Sequence, residues 1–184
     1  MEFQEYNGWV NFTSWDVFTV MTSYYETYQA IERAAEKGQP QEVARFVTGI
    51  VDKWRQNQYT PHAEAAKIQV QDFLMNSVRR VEWTPLYDTL RGERKELGQA
   101  DELTTVAYSL LQASDWQSVV KGAEYLTEAD DRLRDWLEDH CITWVNSPDA
   151  RRHKGKITEY ADTVLRIYFA AVNWQEVTDA LKGE

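Results

Sequence analysis

The chain has 184 residues, a formal net charge of −10 and a single cysteine, so it can form one domain or two small ones but no internal disulfide. With only four prolines and eight glycines, the composition argues against a disordered or linker-rich chain. The apolar runs are too short for a membrane-spanning helix or a signal peptide, which predicts a soluble protein of the cytoplasm.

The first half of the sequence alternates turn signals with helical apolar patterns. Residues 6–9 (YNGW) predict a turn flanked by aromatic rings. A helix capped by Thr13 or Ser14 is expected to run to Gly38, because its apolar residues recur every three to four positions. Three further helices are expected: one from Pro40, one over about residues 62–80, and a short one from Thr84-Pro85 towards Gly92 or Gly98.

The second half repeats this alternation of caps and amphipathic helices. No stretch alternates apolar and polar residues with a period of two, so the sequence predicts an all-α fold. The expected helix starts are Asp101, Ser114 or Asp115, Thr127, Ser147-Pro148 with a break near Gly155, and Asn173, where Glu176 completes a capping-box pattern and Gly183 ends the helix.

Two stretches of thirteen residues repeat one another. Val81–Glu93 (VEWTPLYDTLRGE) and Val172–Glu184 (VNWQEVTDALKGE) align without a gap at an offset of 91 residues. Self-similarity at a fixed offset is the signature of a repeated structural unit. The sequence therefore predicts a tandem duplication, in which helical repeat unit 1 (residues 1–93) packs together with a similar repeat unit 2 (residues 94–184).

The acidic segment Glu124–Asp139 (EYLTEADDRLRDWLED) is the leading candidate for a partner-binding surface. It holds seven carboxylates and two arginines, and such a helix can imitate nucleic-acid phosphates on a basic groove. The alternatives are a metal site, although no EF-hand spacing is present, and a solvated face of paired charges. The predicted partner-binding residues are Glu128, Asp130, Asp131, Asp135, Glu138 and Asp139, with Tyr6 and Trp9 as aromatic anchors ahead of the first helix.

Two other constellations predict alternative functions. Arg151–Lys156, together with Arg79 and Arg80, would contact nucleic-acid phosphates, although a chain of charge −10 repels polyanions elsewhere on its surface. His62 and His153 occupy matching positions at the offset of 91, and would line a small-ligand or enzyme site between the halves. The simpler interpretation is that both copies of the repeat have retained a histidine at a helix start.

No short catalytic or cofactor motif is present in the sequence: there is no Gly-rich phosphate loop, H-E-x-x-H, G-x-S-x-G or C-x-x-C. His140 and Cys141 are adjacent, and on a helix adjacent side chains point about 100° apart, which excludes a base–nucleophile pair. Cys141 is in register with Leu137 and Trp144, so a buried apolar role is expected. The chain is expected to be no enzyme and to need neither cofactor nor metal.

Residues 6–15 (YNGWVNFTSW) resemble the N-terminus of a family of small, uncharacterised proteins from bacteria, phages and plasmids, which reads Y-N-G-W-x-N-x-x-T-W. Ser14 stands where that family usually has Thr, and it keeps the capping hydroxyl. The V-x-W endings at Trp83 and Trp174 also resemble the family's C-terminal pattern. The resemblance implies no known activity, but it implies a mobile-element setting.

In that setting, small acidic helical proteins bind and inhibit host machinery such as restriction or CRISPR effectors. The predicted function is therefore an inhibitory binding protein that acts in the cytoplasm of the host cell. Its expected partner is a protein with a basic, nucleic-acid-binding surface, whereas direct nucleic-acid binding is not favoured. The oligomeric state is left open.

Overall fold

A computed structural model describes residues 6–183 of the chain. The secondary structure of residues 6–183 consists of helices, without a β-strand, which confirms the all-α prediction. None of the helices in residues 6–183 has the length and apolarity to cross a membrane. In chain order the helices are α1 (Phe12–Thr22), α2 (Tyr25–Glu36), α3 (Pro40–Arg55), α4 (Ala63–Arg79), α5 (Trp83–Leu90), α6 (Glu102–Gln112), α7 (Trp116–Val119), α8 (Leu126–Asn146), α9 (Pro148–Arg152), α10 (Lys156–Ala171) and α11 (Trp174–Lys182).

The helices belong to two compact units. The discontinuous unit contains the residues up to Asp72 and those from Arg166 onward, whereas the continuous unit is Phe73–Leu165. The divisions fall inside α4 and α10. These units differ from the repeat units 1–93 and 94–184 expected from the sequence, because α11 belongs with the N-terminal helices and α5 with the helices of the second half.

The discontinuous unit is built around α11, which packs against α1, α2 and α3. Two residues of α11, Val177 and Leu181, are almost fully buried. Burying one such aliphatic side chain contributes about 1.5–3 kcal/mol, so the last helix is a major part of this core. The other buried apolar side chains of α1 to α3 include Val17, Val20, Met21, Ile31, Val43, Val47, Ile50 and Val51.

The start of α1 is capped by Asn11, and the predicted cap at Thr13 or Ser14 is wrong. Asn11 Oδ1 accepts the backbone N–H of Ser14 at 2.8 Å, which satisfies one of the free donors of the first turn. The Ser14 hydroxyl oxygen instead accepts the backbone N–H of Asn173 at 2.8 Å. The residue before α11 is thereby held against the first turn of α1.

The same pair of contacts occurs at the start of α6 in the continuous unit. Asp101 is confirmed as the cap, since its side chain accepts the backbone N–H of Thr104 at 2.7 Å. The Thr104 hydroxyl oxygen accepts the backbone N–H of Glu82 at 3.0 Å. Glu82 precedes Trp83, where α5 begins, so the predicted start, with Thr84 as cap and Pro85 as first helical residue, lies two residues too late. In consequence α5 is attached to α6 as α11 is attached to α1.

The predicted helix from Thr13 to Gly38 is wrong in its length, because the chain breaks after Thr22. The hydroxyls of Thr22 and Ser23 each donate to the carbonyl four residues earlier, at 2.7 and 2.6 Å. Such side-chain bonds compete with the helical ladder, and Tyr24 then adopts an extended backbone with φ −112° and ψ 122°. A second helix, α2, begins at Tyr25.

The ends of α9 and α11 follow the sequence signals, whereas α8 begins at Leu126, one residue before the predicted start at Thr127. Ser147 caps α9 by accepting the N–H of Ala150, Asn173 caps α11 by accepting the N–H of Glu176, and Gly183 ends α11 at a left-handed φ of 74°. The capping-box prediction is only half confirmed, because the Glu176 carboxylate does not bond back to Asn173. It accepts the backbone N–H of Val10 at 2.9 Å, in the segment before α1.

The continuous unit is built around α8, the longest helix. α5, α7 and α9 pack on α8, and α5 also packs on α6. The Trp144 indole N–H donates to the Thr158 hydroxyl at 3.1 Å. The buried residues of α8 recur every three to four positions, so a single face is committed to the core and the opposite face is exposed: Ala129, Leu133, Leu137, Cys141, Trp144 and Val145.

Candidate protein-binding surface

The six acidic residues predicted to bind a partner all lie on α8. Three of them, Asp131, Asp135 and Asp139, are exposed and follow one another at intervals of four residues. Side chains four residues apart share one face of a helix, so these carboxylates form a line about 12 Å long. The remaining three are half-buried: Glu128, Asp130 and Glu138.

Two arginines pair with part of these carboxylates. The Arg134 guanidinium lies 2.8 Å from Asp131 and 3.8 Å from Asp135, and Arg132 pairs with Glu128. Pairs at this level of exposure contribute little to stability, and salt screens them further. The predicted pairing of charges along the helix is therefore present. It leaves the segment with a surplus of negative charge.

Glu128 closes the first turn of α8. Its carboxylate accepts the backbone N–H of Glu124 at 3.0 Å, and Arg132 donates to its other oxygen. These hydrogen bonds, the backbone bond first, hold the pKa of Glu128 below its usual value. This side chain stabilises the beginning of the helix, whereas Asp135 and Asp139 are further along the exposed face.

Asp130 is half-buried and faces α5. One carboxylate oxygen accepts the Thr84 hydroxyl at 2.6 Å, and the other is buried without a hydrogen-bond partner. Burial raises the pKa of Asp130 above its ordinary value, and the neighbouring Asp88 adds to this, while the Thr84 hydrogen bond opposes it. Asp130 therefore packs within the continuous unit and adds little to the outer surface of α8.

Large hydrophobic side chains are exposed near both ends of α8. Tyr125 and Leu126 stand at the beginning of α8 with 70% and 44% exposure, and Ile142 lies near its end with 39% exposure. Three of the six exposed large hydrophobic side chains in residues 6–183 are these ones. The sequence patterns did not single them out, although Ile142 lies eleven residues after Asp131 and so shares its face. We name Asp131, Asp135, Asp139 and Ile142 the α8 stripe.

Tyr6 and Trp9, the predicted aromatic anchors, flank the turn that the sequence predicts at residues 6–9. Asn7 and Gly8 both have positive φ, 49° and 84°, and Tyr6 and Trp9 exchange two backbone hydrogen bonds of 2.8 Å. This combination fits the tight turn that Asn-Gly favours. The Tyr6 ring packs on Phe12 and Trp15, and the Trp9 ring lies 5.0 Å from that of Phe18. Both aromatic side chains therefore also anchor the turn on α1.

Two cations of the basic segment 151–156 serve the fold. Arg151 donates to the carbonyl of Val145 near the end of α8, and Lys156 donates to the carbonyl of Ala113 after α6. Carbonyls at helix ends attract cations because they carry the negative end of the helix dipole. Burial, followed by the charge of Arg152, lowers the pKa of Arg151. These contacts reduce the number of charges that the segment can offer to phosphates.

The two histidines at matching positions lie in different local surroundings. His62, in the discontinuous unit, is half-buried, with Nδ1 3.3 Å from the Thr27 hydroxyl and its ring 5.5 Å from that of Phe46. His153, in the continuous unit, is exposed at the end of α9. Across the described residues 6–183, no three His, Cys, Asp or Glu side chains converge as metal ligands would.

Cys141 is buried on the inner face of α8, in register with Leu137 and Trp144 as expected. Burial raises the pKa of the Cys141 thiol to about 12, and the charge of Glu138 acts in the same direction. The neighbouring His140 is exposed and its ring packs on that of Trp136, with the centroids 3.9 Å apart and the planes at 34°. A neutral, buried thiol is a poor nucleophile.

No protein-family model, no curated protein and no solved structure matches this chain. The surfaces of the chain itself are therefore the basis for assigning a function.

Proposed function

We propose that the protein is a non-enzymatic binding protein that docks on a basic, nucleic-acid-binding surface of a host protein through the α8 stripe. The observation that supports this is the line of exposed carboxylates at Asp131, Asp135 and Asp139, which continues on the same helix face to the exposed side chain of Ile142. Carboxylates steer a basic partner and fix its register, whereas Ile142 supplies apolar surface that excludes water on binding. The net charge of −10 adds a field of the same sign.

The setting of this activity is also a proposal. The resemblance of residues 6–15 to proteins of phages and plasmids supports a role against host defence, with a restriction or CRISPR effector as the partner. Such effectors carry basic channels for DNA or RNA, to which an acidic helix is complementary. The protein would then act in the cytoplasm of the host cell and need no cofactor.

Reversing the charge of the α8 stripe is expected to abolish partner binding. In Asp131→Lys/Asp135→Lys/Asp139→Lys the partner would meet six units of added positive charge on the same face, and capture of it from a host lysate should fall at least tenfold. The matched control Glu93→Lys/Glu96→Lys/Glu102→Lys changes exposed carboxylates of the same unit by the same amount. Equal losses in both variants would show that only net charge matters, and the proposed surface would be wrong.

The inhibitory role predicts a phenotype in cells. Expression of the protein in a strain with an active restriction or CRISPR system should raise the plating efficiency of a targeted phage, since an occupied nucleic-acid groove cannot engage DNA. The stripe variant should lose this effect while the control variant keeps it. No rise with any tested effector, although the lysate partner is still captured, would remove the inhibitory role and leave the binding role.

We also propose that the chain arose by tandem duplication and that the terminal helix of each repeat completes the other unit. The residues before α5 and α11 have nearly identical backbone angles, φ −80° and ψ 88° for Glu82 and φ −81° and ψ 88° for Asn173. Gly92 and Gly183, which follow these helices, both have positive φ, 79° and 74°.

The organisation of the units supports this origin as well. The Ser14–Asn173 hydrogen bond in one unit corresponds to the Thr104–Glu82 hydrogen bond in the other. The boundaries of the two units also agree with the offset of 91 residues. Moved forward by 91 residues, Asp72 falls within two residues of Leu165, and moved back by 91 residues, Arg166 falls within two residues of Phe73. An exchange of terminal helices between two repeats would produce this relation, and the simple division at residue 93 would not.

A further inference from the structure

A groove of about 390 Å³ lies between the N-terminal turn and α11 in the discontinuous unit. Gly8 and Trp9 form one side of it, and the segment that begins at Asn173 forms the other. Its lining includes two carboxylates and no basic side chain. The lining residues from that second side are Asn173, Gln175, Glu176, Asp179 and Ala180.

The two sides of the groove are held in place before any ligand arrives. The backbone N–H of Val10 donates to Glu176 Oε1 at 2.9 Å, and the backbone N–H of Asn173 donates to Ser14 Oγ at 2.8 Å. Asn11 adds a hydrogen bond from its side-chain amide to the carbonyl of Ala171 at 2.9 Å. A ligand would therefore meet an organised site and lose little free energy in ordering it.

One oxygen of the Glu176 carboxylate lacks a donor. Glu176 Oε2 is buried and has no hydrogen-bond partner, although Oε1 of the same carboxylate is satisfied by Val10. A buried carboxylate oxygen without a donor is costly, but Oε2 has almost no accessible surface. A ligand N–H reaches it when the Glu176 side chain turns towards the groove, and the charge-assisted bond gained there favours that turn. Asp179 lies three residues further on the same helix face and adds a second negative charge.

Trp9 supplies an aromatic wall beside these carboxylates. Its indole is half-buried, and Phe18 packs on it with the ring centroids 5.0 Å apart and the planes at 40°. A cation over an indole face is attracted by the negative charge of the ring face. The guanidinium group suits this combination best, because it is flat enough to stack on the ring and its N–H fork matches a carboxylate.

We propose that this groove binds the guanidinium group of an arginine side chain presented by a basic protein. Trp9 stacks on the guanidinium, Glu176 accepts its N–H donors, and Asp179 balances its charge. The site lies in the discontinuous unit, and the proposal does not depend on the α8 stripe. It assigns Trp9 a direct contact with a partner, while Tyr6 acts by holding the turn on α1.

The test is a titration of the ¹⁵N-labelled protein followed by NMR. The Trp9 indole N–H resonance, assigned with Trp9→Phe, should shift in a saturable way with N-acetyl-arginine amide and far less with N-acetyl-citrulline amide, its neutral isostere. In Glu176→Gln/Asp179→Asn the Kd for the arginine amide should rise at least tenfold. The Gln side chain keeps an oxygen for the Val10 N–H, so the turn stays in place.

Matched variants and competing ligands test the position of the site and its selectivity separately. Glu26→Gln/Glu64→Gln removes two exposed carboxylates from the same unit and should leave the Kd unchanged. The lysine variant of the α8 stripe should also bind arginine amide as the wild type does, so each proposal can fail alone. An equal shift with the citrulline amide, or an unchanged Kd in the Glu176/Asp179 variant, would overturn the site. Tighter binding of N-acetyl-lysine amide or spermidine than of arginine amide would overturn the choice of guanidinium.

Discussion

Replacing Asp16 with Asn is expected to stabilise the protein at neutral and alkaline pH and to flatten the dependence of its unfolding free energy on pH. Asp16 lies in α1 with 5% exposure, and one of its carboxylate oxygens is buried without a hydrogen-bond partner. Burial, and then the charge of Asp72, raises the pKa of Asp16 from 3.8 to about 7. An amide of the same shape carries no charge and avoids that cost.

The sign of the effect follows from proton binding. Between about pH 4 and pH 7 the folded chain keeps the Asp16 proton and the unfolded chain releases it, so stability falls as pH rises and the loss is complete above pH 7. A shift of three pKa units corresponds to about 4 kcal/mol. This is a large part of the total stability of about 5–15 kcal/mol typical of a domain.

Urea unfolding of the wild type and Asp16→Asn at pH 5, 6, 7 and 8 measures this effect. The gain in the variant should grow with pH and level off near pH 8. Asp72→Asn should give a smaller gain, because the charge of Asp72 is the lesser of the two causes. Asp135→Asn on the exposed face of α8 serves as a control without effect. Parallel pH curves for the wild type and Asp16→Asn would contradict the prediction.

Placing a carboxylate in the core at Val177 is expected to unfold α1, α2 and α3, which lie more than a hundred residues away in the sequence. Val177 has no exposed surface, and α11 packs on these three helices. An unpaired buried charge costs several kcal/mol, enough to exhaust the stability of one unit. In Val177→Asp the backbone amides of the discontinuous unit should therefore lose their protection from hydrogen exchange.

Hydrogen exchange with mass spectrometry identifies the helices that unfold. Val177→Asp should raise exchange in α1 to α3 first, whereas Leu86→Asp in α5, also without exposed surface, should do so first in α6 and α8. Gln175→Asp is the matched control, because it adds the same carboxylate at an exposed position of α11. If Val177→Asp instead loosened α6 to α10, the division into repeat units 1–93 and 94–184 would be the right one.

Local signals in the sequence predicted the local structure well. Asp101, Ser147 and Asn173 cap helices because each places a side-chain acceptor beside free N–H groups, and this chemistry needs no distant partner. The sequence patterns did not predict the break after Thr22, because the apolar spacing continues through it. Only the two hydroxyl bonds of Thr22 and Ser23, together with the extended Tyr24, end the helix there.

Features that depend on distant contacts could not be predicted in this way. The repeated endings at residues 81–93 and 172–184 gave no sign of which first helix each would pack on. On α8, exposure of Asp131, Asp135 and Asp139 follows from helical spacing, but the inward position of Asp130 depends on Thr84 of another helix. The arginine-binding groove was missed for the same reason, because the Glu176 carboxylate bonds to Val10 instead of its own helix.

The order in which the chain leaves the ribosome matters for a unit that is not contiguous. Phe73–Leu165 is complete before the residues from Arg166 onward have been synthesised, so the continuous unit can fold while translation proceeds. α1, α2 and α3 emerge before the continuous unit, yet their apolar sides stay uncovered until α11 has been synthesised. The discontinuous unit therefore completes its folding after the continuous one, and in the interval its uncovered apolar sides are a natural substrate for a chaperone.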